Sequence, residues 1–396
     1  MQVGSSGTPI DSLDYLIPSV VSVSCLVCVA FLPPYLKFLK KMQVGQVLRE
    51  EGPKSHAHKA RTPTAGGVSF IVATLVGSFL FAAVIAGYNF NISVAVFVAI
   101  MVGVCCASLG LADDLAKVKQ NSNKGLSESI RLKIETALGL VYGVYLVWQA
   151  GGVYKIWLPL MGPVTNHLSL QPWAVPAWFA IPLITFIVVA TANSANMHDG
   201  MDGLAAGTSF LIFCTFGFMS LSLAALDPVQ LGYGALALTA AASMLGFFCF
   251  NRHPAKVFMG DTGSLFIGGL MAALTASAGL LIFFIPLVVI YILESASVLI
   301  QRFVYKLTKP DTPEKPLSSS LRKMQKMVEP LKRVLPPVGR KLPGEGRRVF
   351  LMAPLHHHYE ALLAPKGIKE AQVVALFWIA QALICAGVVA GFLSVR

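Results

Sequence analysis

Residues 91–114 read NISVAVFVAIMVGVCCASLGLADD. From Asn91 to Ala112 the stretch holds no charged side chain. About 20 predominantly apolar residues are what an α-helix needs to cross the hydrocarbon core of a bilayer. A helix also satisfies its own backbone hydrogen bonds, as lipid demands. The run then stops on two carboxylates, Asp113 and Asp114. A membrane helix with chemistry at its end is the reading from which the rest follows.

Working outward, comparable runs fall at 17–36, 65–87, 130–149, 174–192, 204–225, 230–250, 263–280, 282–305 and 371–392. With 91–112 they predict an all-α polytopic membrane protein of ten transmembrane helices, forming one domain over residues 1–396. The eighth and ninth runs are divided only by Gly279 and a few neighbours. Composition agrees: 55% of residues are hydrophobic and 13% charged, against about 25% charged in a soluble domain. If both termini are periplasmic, the inner loops are 37–62, 113–133, 251–262 and 302–369, which hold 29 of the 31 Lys and Arg residues. That bias orients the helices, and it makes the net charge of +12 a property of the cytosolic face. Such a face attracts anionic lipid head groups and anionic substrates, although topology alone also accounts for it. The N-terminal MQVGSSGTPIDSLDYL lacks a basic segment, so no cleaved signal is expected. The seven cysteines lie in or beside apolar runs and read as small membrane residues, not disulfides or zinc ligands.

Polar residues collect on the same face. In GPKSHAHKARTPTAGGVSF, the cations Lys54, Lys59 and Arg61, with His56 and His58, precede Thr64, Gly66 and Gly67. Thr64 is a candidate helix N-cap, and cations beside a helix start suit a phosphate; a positive-inside loop with an ordinary cap is the plainer alternative. Asp113 and Asp114 sit at the cytosolic end of the third helix, where adjacent carboxylates invite Mg²⁺ or proton acceptance; a solvated helix end is the plainer alternative. In TANSANMHDGMDGLAAG, residues Asn193, Asn196, Asp199 and Asp202 recur every three positions, which keeps them near one side of a helical turn. Such side chains read an imide edge or a sugar hydroxyl; a Gly-rich turn explains them too. In NRHPAKVFMGDTGSLFIGG, Asp261 opens the eighth helix as a cap or a metal ligand, with Asn251 and Phe258 upstream. Glu135 and Glu294 fall within apolar runs. Acids there are costly. Glu135 is expected to pair with Arg131 or Lys133, and Glu294 is left open between lining a groove and bracing a kinked helix.

These stretches, ADDLAK, NSANMHDGMDGLA, FMGDTGSL and MAPLHHHYE, resemble the bacterial phospho-N-acetylmuramoyl-pentapeptide-transferase family, within the polyprenyl-phosphate N-acetylhexosamine-1-phosphate transferase superfamily. The motifs run in the family's order from about residue 37 to the C-terminus. The resemblance implies transfer of phospho-MurNAc-pentapeptide from its UDP carrier to undecaprenyl phosphate in the bilayer, giving lipid I and UMP. It implies Mg²⁺ as cofactor, a homodimer among membrane lipids and no nucleic-acid partner. It carries the metal-ligand role to Asp261 and the proposed base to Asp113 or Asp114. Lys59 and Thr64 match the nucleotide region; Asn196, Asp199 and Asp202 match residues around uridine and diphosphate. Phe258 matches an aromatic that stacks on uracil. His356, His357 and His358 match the family's histidine motif.

Adjacent side chains of an extended or irregular loop point apart, so three imidazoles in a row are not expected on one ion. They are expected to donate hydrogen bonds to substrate oxygens, with loop stability and metal binding as the alternatives. The chain departs from the family pattern at His198 and Ala65, which stand for a threonine and a methionine, and at Arg61, which stands for a glycine. Residues 309–345 lengthen the last inner loop, as an amphipathic surface helix or a Pro-rich insert. The rival functions are a UDP-GlcNAc-dependent sister transferase, against which the histidine motif argues, and a transporter or flippase.

Overall fold

The computed structural model describes residues 9–42, 62–120, 125–161, 168–310, 318–327 and 346–396. Each of the ten apolar runs has a helical counterpart. They are α1 (Pro9–Lys41), α2 (Gly67–Ala86), α3 (Phe90–Lys119), α4 (Glu128–Gln149), α5 (Ala177–His198), α6 (Leu204–Leu223), α7 (Val229–Asn251), α8 (Gly260–Ala278), the broken pair α9 (Leu281–Leu287) and α10 (Val289–Thr308), and a C-terminal helix Glu370–Val395. Two short helices, α11 (Ser319–Met327) and α12 (Leu355–Leu363), precede that last one, which is therefore α13. The chain is a multi-pass membrane protein.

By length and composition, not all of these helices are equally apolar. Seven described helices are long and apolar enough to cross a membrane, and the α9–α10 pair, bent by 65°, makes an eighth. The other two runs are helical but more polar. α4 opens with Glu128, Arg131, Lys133 and Glu135. α8 packs against α2, α3, α5, α6 and α7, so protein rather than lipid surrounds it. Its sequence GDTGSLFIGGLMAALTASA is rich in small residues, which let membrane helices approach closely. Gly110 of α3 faces the backbone of Asp261, and Gly268 of α8 faces that of Ala192. Gly110→Ala drives a methyl group into the Asp261 carbonyl. We expect a loss of about 1–3 kcal/mol, read as a lower unfolding midpoint in detergent; an unchanged midpoint would show that α3 and α8 can part without cost.

The all-α class holds, with one short hairpin added to it. Between α4 and α5 the chain forms an antiparallel hairpin, β1 (Val153–Met161) and β2 (Leu168–Pro176). Its first strand, VYKIWLPLM, is rich in aromatic and branched residues that favour strands. Part of the run 174–192 thus goes to β2, and α5 starts only at Ala177. The hairpin closes the bundle at the C-terminal end of α8. Trp157 N–H donates to the Gly279 carbonyl at 2.8 Å and the Tyr154 hydroxyl to that of Ala276 at 2.6 Å. Gly279 does divide the eighth and ninth runs, through a left-handed C-cap at φ 67°.

The break between α9 and α10 follows Pro286, whose ring removes a backbone donor. Buried Gln381 of α13 donates to the Leu287 carbonyl at 2.9 Å, satisfying a group the break exposes. Beyond the bend α10 packs along α5, where Glu294 meets His198 at the end of that helix.

Candidate active site

α3 continues past the apolar run to Lys119, so Asp113 and Asp114 lie inside the helix. They are 1% and 4% exposed, which rules out the solvated-end alternative. The two face different partners. Asp114 receives the start of α8: Asp261 N–H donates to its Oδ1 at 3.1 Å, while Thr262 N–H and hydroxyl donate to Oδ2 at 3.0 and 2.7 Å. A carboxylate at the electropositive start of a helix, taking free N–H groups, is a stable arrangement. Gly260, at φ 71°, makes the turn beneath it, where a side chain would press on Asp114 Oδ2 and Thr64.

Asp113 points the other way. Its Oδ1 accepts from Leu126 N–H at 2.7 Å, and its Oδ2 lies 2.7 Å from Lys117 Nζ. The same Nζ is 2.8 Å from Asp261 Oδ2, which Arg131 also approaches at 3.3 Å. Asn196 donates to Asp261 Oδ1 at 2.9 Å and to Ser264 at 2.9 Å. The ends of α3 and α5 and the starts of α4 and α8 therefore meet around two carboxylates and two cations. Asp261 does not cap its helix, because no side-chain cap forms there. Neither Lys117 nor Arg131 is a site residue in the sequence reading, where Arg131 enters only as an expected partner of Glu135. Lys117 had a signal, being one turn from Asp113 on the same helix face; Arg131 had none beyond its charge.

Carboxylate oxygens facing one positive charge suit a hard divalent cation, which Mg²⁺ sites supplement with substrate phosphates. Asp261 and Asp113 are the residues able to hold it. Clusters of three or more ligand-type side chains lie elsewhere among the described residues.

Other expected residues are placed as follows. Asn193 turns away, donating to buried Glu135 and to the Val189 carbonyl. That replaces the expected Glu135–Arg131 pair. Asp202 accepts from Ala255 N–H at 3.0 Å and lies 3.1 Å from His253 Nδ1. Asn251 is a brace, taking Gly203 N–H at 3.1 Å and giving to the Val257 carbonyl at 2.9 Å. These bonds hold the 199–203 turn against the 253–258 segment, where Phe258 is half-buried. Asp199 ends α5 as its C-cap. Thr64 is not an N-cap, since α2 starts later, behind Gly66. It lies within a backbone clasp in which Phe258 N–H donates to Pro63 and Gly66 N–H to Phe258, both at 2.8 Å. Lys54, His56, His58, Lys59 and Arg61 lie outside the described residues.

The histidine motif is not a loop. Pro354 precedes α12, and His356, His357 and His358 make its first turn. His356 is fully buried, with Nδ1 3.2 Å from Glu294 Oε2. His357 Nδ1 lies 3.1 Å from Glu360. His358 accepts from Leu351 N–H at 3.1 Å through Nδ1, and burial holds its imidazole below the usual value, which keeps that acceptor neutral at pH 7.

A family model described as glycosyl transferase family 4 matches residues 95–279. The chain is 32% identical over 365 residues to the phospho-N-acetylmuramoyl-pentapeptide-transferase of Listeria monocytogenes serotype 4b (strain CLIP80459), covering 92% of this chain and 94% of that protein. It is 32% identical over 348 residues to the protein of that name from Thermoanaerobacter sp. (strain X514), covering 88% and 89%. For the one from Oceanobacillus iheyensis it is 32% over 367 residues, covering 91% and 92%.

Proposed function

The chain belongs to the phospho-N-acetylmuramoyl-pentapeptide-transferase family, and from that premise we propose that it transfers phospho-MurNAc-pentapeptide from UDP-MurNAc-pentapeptide to undecaprenyl phosphate. The products are lipid I and UMP. The observation that carries this reading is the Asp113–Lys117–Asp261 cluster, buried between helix ends where a lipid-borne acceptor and a soluble donor can meet. We place that end of the bundle at the cytosolic face of the bacterial inner membrane, because the loops there hold 29 of the 31 Lys and Arg residues. The protein acts as a homodimer in this reading, and the basic helix α11 lies along the membrane surface.

Phosphoryl transfer asks mainly for positioning and neutralised charge. Asp261, with Asp113 beside it, would hold Mg²⁺, which would supply charge neutralisation for a diphosphate and its leaving group. Lys117 and Arg131 give up part of their hold on Asp261 to contact phosphate oxygens. Asp114 is committed to the start of α8, so it positions Asp261 and does not take a proton. Asp113 is the acceptor facing the reacting phosphates. A phosphate monoester with a second pKa near ~6 is mostly dianionic at pH 7, so that acceptor assists and is not obligatory. A lipid phosphate oxygen attacks the β-phosphorus directly. The turn 199–203 and Phe258 receive the uridine, and His357 faces the sugar-peptide side.

The test is UMP release by purified protein given undecaprenyl phosphate and Mg²⁺ with either UDP-MurNAc-pentapeptide or UDP-GlcNAc. UMP from the pentapeptide donor alone is expected. Release from UDP-GlcNAc alone would move the chain to the sister activity, and release from neither, in folded protein, would end the transferase reading.

A further inference from the structure

A second convergence of ligand-type side chains lies apart from the phosphate-handling aspartates. His198 ends α5, Glu294 sits on α10 beyond the bend and His356 opens α12. All three are fully buried. His356 Nδ1 is 3.2 Å from Glu294 Oε2, and His198 Nδ1 is 3.7 Å from Glu294 Oε1. One ligand atom from each lies within 4.8 Å of the others. His198 Nδ1 and Glu294 Oε1 meet only each other, beyond hydrogen-bond distance, His356 Nδ1 meets only Glu294, and His356 Nε2 has no hydrogen-bond partner among the described residues. Buried polar atoms are rarely left so, and a buried carboxylate needs a compensating charge.

The surroundings aim these atoms inward. His198 Nε2 is engaged by Thr208 at 3.0 Å. The Tyr291 hydroxyl joins Thr208 and Ser209, both at 2.9 Å, and the Tyr291 ring lies 4.2 Å from the imidazole. The Nδ1 of His198 is thereby left to the interior, in the way outer hydrogen bonds orient metal-binding imidazoles. Gly200 packs on His356 Nε2, where a side chain would collide. The spacing has a chemical meaning. Nitrogen and oxygen ligands about 2.1 Å from a tetrahedral zinc ion lie about 3.4 Å apart; here the two imidazoles approach different oxygens of Glu294, at 3.2 and 3.7 Å, so a small inward shift of the side chains would seat one ion. Two imidazoles and a carboxylate are borderline ligands suited to zinc-class ions.

We propose that His198, Glu294 and His356 bind one divalent transition-metal ion of the zinc class, with a fourth position left to water, and so tie α5, α10 and α12 together behind the nucleotide turn. The competing arrangement is a purely hydrogen-bonded clamp around Glu294. The proposal concerns a metal distinct from the one at Asp261, and its test does not use turnover.

Full-length protein in detergent is incubated with excess zinc, dialysed against EDTA, and its metal content measured by mass spectrometry; a parallel sample is loaded with cobalt and its visible absorption recorded. About one zinc per chain is expected to remain, with a cobalt spectrum of low coordination number. His198→Ala and Glu294→Ala should lose both signals, whereas Asp261→Asn should keep them. Wild-type protein that elutes as a single folded species yet retains less than about a tenth of an equivalent, with no cobalt bands, would overturn the proposal without recourse to the variants. Zinc retained undiminished by folded Glu294→Ala would overturn the ligand set.

Discussion

Replacing Asp261 with asparagine should abolish turnover while leaving the fold in place. The expected loss in UMP release is at least about 10³-fold, equivalent to about 4 kcal/mol of transition-state stabilisation. Asparagine is nearly isosteric. It keeps one oxygen where Asp261 Oδ1 meets Asn196, so the packing of α8 against α3 survives. What goes is the negative charge that Lys117 and Arg131 converge on and that a divalent cation requires from its oxygen ligand. The unfolding midpoint should stay close to that of the unaltered protein, since two cations then share Asp113 alone and the burial of one carboxylate is relieved. Asp113→Asn sets the scale. As an assisting acceptor it should lose less, about 10–10²-fold, and the deficit should shrink as pH rises through ~6, where the lipid phosphate sheds its second proton unaided. A folded Asp261→Asn protein retaining more than about a tenth of normal turnover would remove this aspartate from the chemistry.

How much of this was legible in the sequence depends on whether the signal was local. Membrane helices announce themselves by composition, and each of the ten runs has a helix, with only the start of 174–192 given to a strand. Whether a helix meets lipid or protein is not local, and α8 shows the consequence: its Gly-, Ala- and Ser-rich sequence is explained by the neighbours that enclose it. Asp113, Asp114 and Asp261 stood out because acids at the edge of apolar runs are rare. Lys117 and Arg131 were hidden in plain sight, because cations on a cytosolic loop are what topology alone supplies. Only a contact spanning 144 residues in sequence turns Lys117 into a partner of Asp261. Glu294 and His198 were each visible as oddities, but nothing local joined them. The helical start of the His run was missed for another reason. Three histidines carry weak helix propensity, and packing of His356 into the interior overrides it.

The division of labour between the two neighbouring aspartates yields the second large effect. Asp114→Ala should cost about 3–5 kcal/mol of stability, the scale for breaking a buried charged network, and turnover should fall with it. Alanine strands three donors at once: the N–H groups of Asp261 and Thr262 and the Thr262 hydroxyl. Each unmade bond to a charged acceptor in a buried setting carries about 1.5–3 kcal/mol, partly recovered where water enters. Asp114→Asn should fall between, because one amide oxygen still accepts while the amide nitrogen faces donors. The start of α8 would then shift, and Asp261 with it, so lost activity would be a consequence of lost geometry. Thermal unfolding in detergent and UMP release on the same samples separate the cases. Asp114→Ala should lose both together, whereas Asp261→Asn loses turnover alone. An Asp114→Ala protein with an unaltered midpoint and no turnover would reverse the assignment, making Asp114 the acceptor that meets the substrate and Asp113 the residue that merely holds Lys117.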